Sequence, residues 1–300
     1  MKHIIAIVGP TASGKTALSI KLAQALNTEI ISADSRQFYK EMRIGTAVPE
    51  PDELAAAKHH FIQNKSIFDD YNAGDYEQDF LKLSKQLFQT KDTLILVGGS
   101  GLYIDAACKG LDNLPGKNEQ IRQALIRDLN ENGIENLQKQ LQALDSDYYQ
   151  KIDRQNPHRL IRAIEILRQA GGQKMADLHR QTAKRNFETI YIGLNSKREI
   201  LYDRINRRVD VMIEKGLIDE AKKLYPYREQ NALQTVGYRE LFSYFERQYD
   251  LDFAVSEIKK NTRRFAKRQL TWFRKNTAIK WFDIAYDFDE VMEYLTEKMS

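Results

Sequence analysis

The sequence predicts an α/β protein with a phosphate-loop NTPase-like core, a parallel sheet flanked by helices, and an all-helical insertion. Three observations support this fold class. An apolar, β-branched run at residues 3–8 leads into GPTASGKT at residues 9–16, which fits the phosphate-loop pattern at every fixed position. Further apolar runs typical of buried strands occur at residues 29–33 and 93–97. Residues 114–184 contain only helical patterns, which separates a core of residues 1–113 and 185–300 from the insertion.

The loop after the first strand has the composition of an anion-binding site. Loop amides and the N-terminus of the following helix favour a phosphate, and glycine lets the backbone approach it closely. Lys15 adds a positive charge, and the Thr16 hydroxyl can hold Mg²⁺. The residues predicted to bind phosphate are Gly9, Thr11, Ala12, Ser13, Gly14, Lys15 and Thr16. A nucleotide is the default ligand of such a loop, but the pattern alone does not identify it.

The next two strands argue against ordinary nucleotide hydrolysis. A phosphate-loop NTPase places an acidic residue after an apolar strand to organise Mg²⁺ and water, whereas Val97 here is followed by Gly-Gly-Ser. The acidic residue that does follow a strand is Asp34. Because ligands bind outside the carboxyl ends of parallel strands, we expect Asp34 near the phosphate loop. Capping of a following helix is a second role for Asp34, and the two roles are compatible.

The helix predicted after the strand at 189–193 has two faces. Ser196 to Glu199 forms a capping-box pattern at its start. One face is apolar, and the other carries Arg198, Arg204, Arg207 and Arg208. The spacing of these arginines alone favours a solvated helix face.

Near the C-terminus, residues 259–280 contain nine basic residues and no acidic one, with Phe265, Trp272 and Phe273 between them. On a helix, Lys260, Arg264, Lys267 and Arg268 share one stripe. Basic side chains with interleaved aromatics favour binding to a nucleic-acid backbone. A membrane surface is the alternative, and it is less favoured because the chain contains no anchoring segment.

Composition limits the class of protein further. The chain has 300 residues and a formal net charge of +4, with 42% hydrophobic residues, which is enough for a core. The single cysteine cannot form an internal disulfide, and the N-terminus has no signal-peptide pattern. No apolar run is long enough to span a membrane. We therefore expect a cytoplasmic protein that does not bind membranes, and nothing in the sequence argues against a monomer.

These stretches together resemble the tRNA dimethylallyltransferase (tRNA isopentenyltransferase) family over essentially the whole chain. The stretches that carry the resemblance are residues 9–16, 31–40, 44–47, 97–103, 156–163, 234–240 and 266–274. The first is shared by many kinases, but all of them in this order are specific. One cysteine cannot build the zinc finger of eukaryotic relatives, so the bacterial type is expected.

The resemblance implies transfer of the dimethylallyl group of dimethylallyl diphosphate to N6 of adenosine 37 in tRNA. The phosphate loop then holds a prenyl diphosphate with Mg²⁺, and no ATP is consumed. Asp34 is implied as general base for a flipped adenine. The diphosphate is implied to be neutralised by Lys15 and by an arginine, which is Arg208 by family position. Thr11 is implied to line the reacting end of the prenyl group. Ser100 stands where many relatives have threonine, and it keeps the hydroxyl.

The resemblance also implies a tRNA interface in which the insertion and the basic helix clamp the anticodon stem-loop from two sides. The residues it assigns to tRNA are Asp34, Ser35, Arg36, Gln37, Ser100, Arg122, His158, Arg159, Leu160, Ile161, Arg162, Gln234, Thr235, Val236, Gly237, Tyr238, Arg239, Lys267, Arg268, Gln269, Leu270, Thr271, Trp272, Phe273 and Arg274.

Three alternatives remain at this stage. A phosphate-loop kinase for a small metabolite explains the loop but gives no role to Asp34 or the basic stripe. An isopentenyltransferase for free AMP or ADP keeps the core but needs no RNA clamp. A non-catalytic RNA-binding module needs no complete phosphate loop.

Overall fold

The computed structural model describes residues 1–112, 114–178 and 184–300. The chain divides into two compact units, one of Met1–Cys108 with Arg185–Ser300 and one of Lys109–Lys184. Residues 179–183 of the predicted helical insertion lie outside the described residues. Within the described part of the chain, every helix is too short or too polar to cross a membrane.

The first unit is built on a six-stranded parallel sheet with the order β3-β2-β4-β1-β5-β6. Its strands are β1 (His3–Val8), β2 (Ile30–Ser32), β3 (His59–His60), β4 (Thr93–Gly98), β5 (Glu188–Asn195) and β6 (Ile279–Asp283). In β1, Ile4 and Ala6 belong to one apolar core and Ile5 and Ile7 to another. A sheet buried on both faces explains why the strands read as continuous apolar runs. The predicted fold class is confirmed.

Helices of the first unit pack on both faces of this sheet and in a third apolar core. They are α1 (Lys15–Ala25), α2 (Pro51–Ala56), α3 (Ala73–Leu87), α4 (Gly101–Lys109), α10 (Arg198–Glu214), α11 (Leu217–Leu224), α12 (Tyr238–Phe245), α13 (Leu251–Phe273) and α14 (Phe288–Met299). Sequence reasoning missed α2 and β3, because residues 45–70 lack a long periodic pattern. The predicted capping box before α10 is wrong: Lys197 is the N-cap without a side-chain bond, and the buried Ser196 hydroxyl has no partner among the described residues.

The second unit is helical. Its helices are α5 (Glu119–Asn132), α6 (Ile134–Leu144), α7 (Ser146–Lys151), α8 (Pro157–Gln169) and α9 (Met175–Leu178). Pro157 opens α8 at a position where proline is tolerated, and the Asn156 side chain accepts a hydrogen bond from the Arg159 amide. The apolar face of α8 packs with Leu125, Leu137 and Leu141 into a separate core.

Candidate active site

The carboxyl ends of β1, β2 and β4 meet at one edge of the first unit. The phosphate loop follows β1, Asp34 follows β2, and the Gly99-Ser100 turn follows β4. All three border one cavity of about 740 Å³, whose wall also includes residues of α10, the segment 234–239 and α13. The expected proximity of Asp34 to the phosphate loop is therefore confirmed.

Backbone conformation explains the glycines of the phosphate loop. Gly9 has φ +143°, and a Cβ there would lie 2.4 Å from the carbonyl oxygen of Leu194 in β5. Gly14 has φ +87° immediately before α1 begins at Lys15. The helix N-terminus therefore opens directly from the loop, as an anion site requires.

One polar atom inside the phosphate loop lacks a partner. The Ser13 hydroxyl is buried and makes no hydrogen bond to any described residue. An unpartnered buried hydroxyl is costly unless a ligand or water satisfies it. The loop is thus built with spare hydrogen-bonding capacity.

Lys15 and Arg208 are the central cations of the cavity. The Lys15 ammonium donates to the Pro10 carbonyl at 2.7 Å, and neither cation forms an ion pair within the described residues. Burial and, to a smaller extent, the Arg208 charge lower the pKa of Lys15 to about 7, against the raising effect of Asp34. Burial also lowers the pKa of Arg208, against the raising effect of Asp34 and Glu53. Two desolvated cations without an ion pair in the described chain favour binding of an anion.

A turn orients Asp34. Its Oδ1 accepts a hydrogen bond from the Arg36 amide at 3.0 Å, and the Ser100 hydroxyl accepts one from the Ser35 amide at 3.0 Å. Residues 35–38 form turns rather than a helix. The capping role considered for Asp34 is therefore wrong, and the side chain instead stabilises its own turn while its carboxylate borders the cavity.

The neighbouring segment 43–47 is held by a carboxylate from α11. Glu220 accepts hydrogen bonds from the amides of Arg43, Ile44 and Gly45 at 3.0, 2.8 and 2.9 Å, and a fourth from the Tyr238 hydroxyl at 2.7 Å. The Gln37 amide donates to the Ala47 carbonyl at 2.8 Å. The side-chain amide of Gln37 therefore makes a hydrogen bond within the protein, and this bond links segment 43–47 to the Asp34 turn.

Positive charge dominates the cavity wall. Seven of its lining residues are lysine or arginine, and Asp34 is the one acidic residue among the described lining. The seven are Lys15, Arg36, Arg204, Arg207, Arg208, Arg239 and Arg268. Spacing had favoured a solvated face for the α10 arginines, and this prediction is wrong for Arg208, which is partly buried, whereas Arg204 and Arg207 border the cavity and remain exposed. Their i, i+3 and i+4 spacing places them on one side of the helix, but the sequence does not show what that side faces.

The basic stripe of α13 is partly neutralised. Lys259 pairs with Asp210 at 2.5 Å, and Lys260 pairs with Glu257 on the same helix. Lys267 and Arg268 are exposed and form no ion pair with any residue of the described chain. The absence of acidic residues from 259–280 did not reveal these partners, because Asp210 and Glu257 lie outside that stretch.

The remaining predicted tRNA residues fall into two groups. Exposed or partly exposed side chains belong to Arg36, Arg122, His158, Arg159, Arg162, Gln234, Thr235, Val236, Arg239, Lys267, Arg268, Leu270, Thr271, Trp272 and Arg274. Buried side chains belong to Leu160, Ile161, Tyr238, Gln269 and Phe273. The side chains of the buried group pack inside the two units.

In the helical unit, Arg122 and Arg162 share one buried carboxylate. Glu165 accepts hydrogen bonds from Arg122 at 2.7 Å, from Arg162 at 2.9 Å and from the Asn118 amide at 2.7 Å. Arg162 also donates to the Pro115 carbonyl at 2.7 Å. Both arginines are thus fixed in place, and they remain about one-third exposed, at 29% and 37% of their side chains.

The residues fit a metal only together with a phosphate ligand. Among the described residues, no group of three or more histidine, cysteine, aspartate or glutamate side chains could hold a metal by itself. Thr16 offers a hydroxyl at the cavity wall. Magnesium is often bound in this way, through few protein oxygens, substrate phosphates and water.

The fold and the cavity define a phosphate-loop α/β enzyme with a cationic site at the carboxyl edge of its sheet. Residues 37–276 match the family model described as IPP transferase. The chain is 56% identical to tRNA dimethylallyltransferase of Christiangramia forsetii over 298 residues, covering 99% of both chains, and 54% identical to that of Flavobacterium johnsoniae, covering 100% and 99%. The chain belongs to the IPP transferase family.

Two solved structures share the fold. A tRNA isopentenylpyrophosphate transferase from Bacillus halodurans has a TM-score of 0.73 at 37% identity, with 100% of this chain and 96% of that chain covered. A eukaryotic dimethylallyltransferase acting on tRNA has a TM-score of 0.77 at 26% identity, with 95% and 74% covered. The family resemblance inferred from the sequence motifs is confirmed.

Proposed function

We propose that this enzyme transfers the dimethylallyl group of dimethylallyl diphosphate to N6 of adenosine 37 in tRNA and releases diphosphate. The observation that carries the proposal is the pair of cations, Lys15 and Arg208, in a cavity that also contains Asp34. The relatives named tRNA dimethylallyltransferase support the acceptor and the prenyl group.

The diphosphate is proposed to bind in the phosphate loop. Its negative charge satisfies Lys15 and Arg208, and the Ser13 hydroxyl and loop amides supply hydrogen bonds. These groups are fixed before the reaction, so they stabilise the extra charge of the departing diphosphate without reorganisation. Thr11 borders the cavity and is proposed to line the reacting end of the prenyl group.

Asp34 is proposed as the general base. The N6 amine attacks C1 of the prenyl group, and the C1–O bond breaks with its electron pair passing to diphosphate. The carboxylate takes the N6 proton as the new C–N bond forms. Arg36 and Ser100 hold the turn that aims this carboxylate, through hydrogen bonds at 3.0 Å to Asp34 and to Ser35. Adenine must leave its stack to reach the site.

Magnesium is proposed as the divalent metal that this family uses for substrate binding. Thr16 would hold it together with the diphosphate oxygens. When bound, the metal supplies positive charge that offsets the charge of the leaving group.

The RNA surface is proposed to comprise the unpaired end of α13 and the exposed residues beside the cavity. Lys267 and Arg268 supply charge for phosphates, and Phe265 and Trp272 are 39% and 41% exposed beside them. Exposed His158 and Arg159, with the fixed Arg122 and Arg162, are proposed as the contribution of the helical insertion, residues 114–184, to an anticodon stem-loop clamp. We further propose that the enzyme is a cytoplasmic monomer.

The test is a transfer assay with the purified chain, Mg²⁺ and labelled dimethylallyl diphosphate. Unmodified tRNA, the same tRNA with adenosine 37 replaced by guanosine, and free AMP serve as acceptors. We expect label in the first acceptor alone, without added nucleotide. Label in AMP alone would move the substrate to free nucleotides, and ATP-dependent phosphorylation without prenyl transfer would identify a kinase.

A further inference from the structure

Gln269 lies on α13 between the exposed Lys267 and Trp272, but its side chain points into the protein and is only 7% exposed. Its Oε1 accepts a hydrogen bond from the Thr11 amide at 2.8 Å, and its Nε2 donates to the Gly99 carbonyl at 3.0 Å. One side-chain amide therefore joins the phosphate loop after β1 to the turn after β4.

The orientation of this amide is determined by its partners. The Thr11 N–H needs an acceptor, and the Gly99 carbonyl needs a donor. The glutamine side-chain amide supplies both from one planar group, its oxygen as acceptor and its nitrogen as donor. A glutamate would place a carboxylate oxygen against the Gly99 carbonyl, and a methionine of similar length would satisfy neither group.

The turn after β4 leaves room for this contact because Gly99 has no side chain. A Cβ at Gly99 would lie 2.2 Å from the Gln269 Nε2. One turn later on α13, Trp272 lies where a Cβ at Gly101 would be, 2.3 Å from its Cδ1, and its indole donates to Asp105 at 2.8 Å. The helix is thus seated closely on the glycine turn.

The contact extends to the proposed base. Gly99 precedes Ser100, whose hydroxyl accepts from the Ser35 amide beside Asp34 at 3.0 Å. A continuous path of hydrogen bonds and peptide units therefore runs from Thr11 through Gln269, Gly99 and Ser100 to the Asp34 turn. This path spans the ends of β1, β4 and β2, which carry the diphosphate site and the base.

We propose that Gln269 is a positioning residue that sets the phosphate loop relative to Asp34, and that it is not an RNA contact. The kinetic effects expected of Gln269 variants rest on the proposed prenyl transfer. Breaking the link leaves Thr11 and the loop free to shift by fractions of an ångström, which misaligns the diphosphate with the base. RNA binding on the exposed side of the same helix is left intact.

The test compares Gln269→Met with Lys267→Ala, two residues apart on α13. For Gln269→Met we expect kcat/KM for dimethylallyl diphosphate to fall about 10- to 100-fold, since two buried groups lose their partners. Its Kd for unmodified tRNA and the salt dependence of that Kd are expected to stay within about twofold. Lys267→Ala should show the reverse pattern, with weaker tRNA binding and an unchanged KM for dimethylallyl diphosphate.

Gly99→Ala provides a second disruption from the opposite side of the contact, and it should reproduce the kinetic pattern of Gln269→Met. Binding of inorganic diphosphate to each variant, measured by calorimetry, gives a readout that needs no turnover. Weaker tRNA binding with unchanged diphosphate binding would make Gln269 an RNA contact and overturn the proposal. A lower Tm with unaltered diphosphate affinity and unaltered kinetics would reduce Gln269 to packing alone.

The assay also separates this inference from the proposed function. If the wild-type chain prenylates no RNA, the proposed function fails, whereas the effect of Gln269→Met on inorganic diphosphate binding still tests the positioning role. If the wild-type chain prenylates tRNA and Gln269→Met does so equally well, the positioning role fails alone.

Discussion

The two units differ in whether the protein supplies a counter-charge to their fixed cations. In the helical unit, Arg122 and Arg162 both bond to Glu165, a fully buried carboxylate. Burial would raise the pKa of Glu165, but the hydrogen bonds from the two arginines and the Asn118 amide outweigh it, and the pKa lies below its usual value. At the phosphate loop, Lys15 and Arg208 have no such partner in the described chain, and both have lowered pKa values.

This difference separates cations that have a counter-charge within the protein from the cavity cations proposed to bind diphosphate. Glu165 completes its cluster inside the protein, so the cluster stabilises the helical unit. Lys15 and Arg208 lie near Asp34 but form no ion pair in the described chain. We therefore expect an anion that binds in the cavity to offset the free-energy cost of their desolvation. Removing the charge of Glu165 should therefore lower the stability of the helical unit, whereas removing the charge of Arg208 should not lower the stability of the first unit.

The largest expected effect is at the single carboxylate of the cavity. Asp34→Asn removes the proton acceptor and should lower kcat for transfer to tRNA about 1,000-fold. Because asparagine keeps the turn with the Arg36 amide, Kd for tRNA should stay within about twofold. Quench-flow measurement of a single turnover checks this, and Asp52→Asn, an exposed aspartate of α2, is the matched control. Near-normal turnover by Asp34→Asn would remove the residue as base.

A smaller loss of activity is expected when Arg208, one of the two cavity cations without an ion pair in the described chain, is replaced. Arg208→Met should lower kcat/KM for dimethylallyl diphosphate about 100-fold, because a fixed charge at the leaving group is lost. The Tm of the free chain should not decrease, since a charge held at a desolvation cost disappears. Steady-state kinetics and calorimetry test both parts together. A clear fall in Tm would mean that Arg208 is structural like Arg162.

The opposite result is expected in the helical unit. Glu165→Gln leaves Arg122 and Arg162 without their counter-charge and should destabilise this unit by about 3 kcal/mol. Hydrogen exchange of the α5 and α8 amides should accelerate about 100-fold, with little change for β1 and β4. Mass spectrometry of peptic fragments resolves these segments. Uniform acceleration in both units would contradict a local role for Glu165.

The smallest effect is a pH dependence that belongs to Lys15. With its pKa lowered to about 7 in the free chain, Lys15 loses its proton as the pH rises above that value. The diphosphate binds the protonated form, so its Kd should increase with pH above about 7, by at most tenfold per pH unit. Calorimetry with inorganic diphosphate from pH 6 to 9 measures the slope.

Lys15→Gln supplies the control for titration of the ligand itself. Diphosphate changes its own charge in this range, and both proteins experience that change equally. The difference between the two slopes belongs to Lys15. Parallel slopes would show that Lys15 stays protonated in the free chain.

Local pattern was enough to predict much of the fold and part of the site. The phosphate loop, the strand before it and the placement of Asp34 follow from glycine spacing and the rule for parallel sheets. The role of Gln269 could not be predicted, because its partners Thr11 and Gly99 lie 258 and 170 residues away. The motif containing Gln269 was assigned to RNA as a block, although helical geometry turns its members to different sides.

The surroundings of charged side chains were the other point at which the structure differed from the sequence-based predictions. A run without acidic residues looked uniformly free for RNA, yet Asp210 and Glu257 neutralise its first two lysines. The arginines of α10 looked solvated, and Arg204 and Arg207 are exposed, but Arg208 is partly buried at the cavity wall. The i,i+3 pair of Glu257 and Lys260 could have been read from helical spacing, whereas only tertiary contacts reveal Asp210 as the partner of Lys259 and the cavity beside Arg208.

Glu220 has a consequence of its own. Three consecutive backbone amides, of Arg43, Ile44 and Gly45, converge on its carboxylate. The protein thus holds a tethered carboxylate with backbone amides, in the same way as the phosphate loop is proposed to hold diphosphate. Shortening that tether in Glu220→Gly would leave a vacancy the size of a small carboxylate. Acetate or formate in the buffer could then complement the missing side chain.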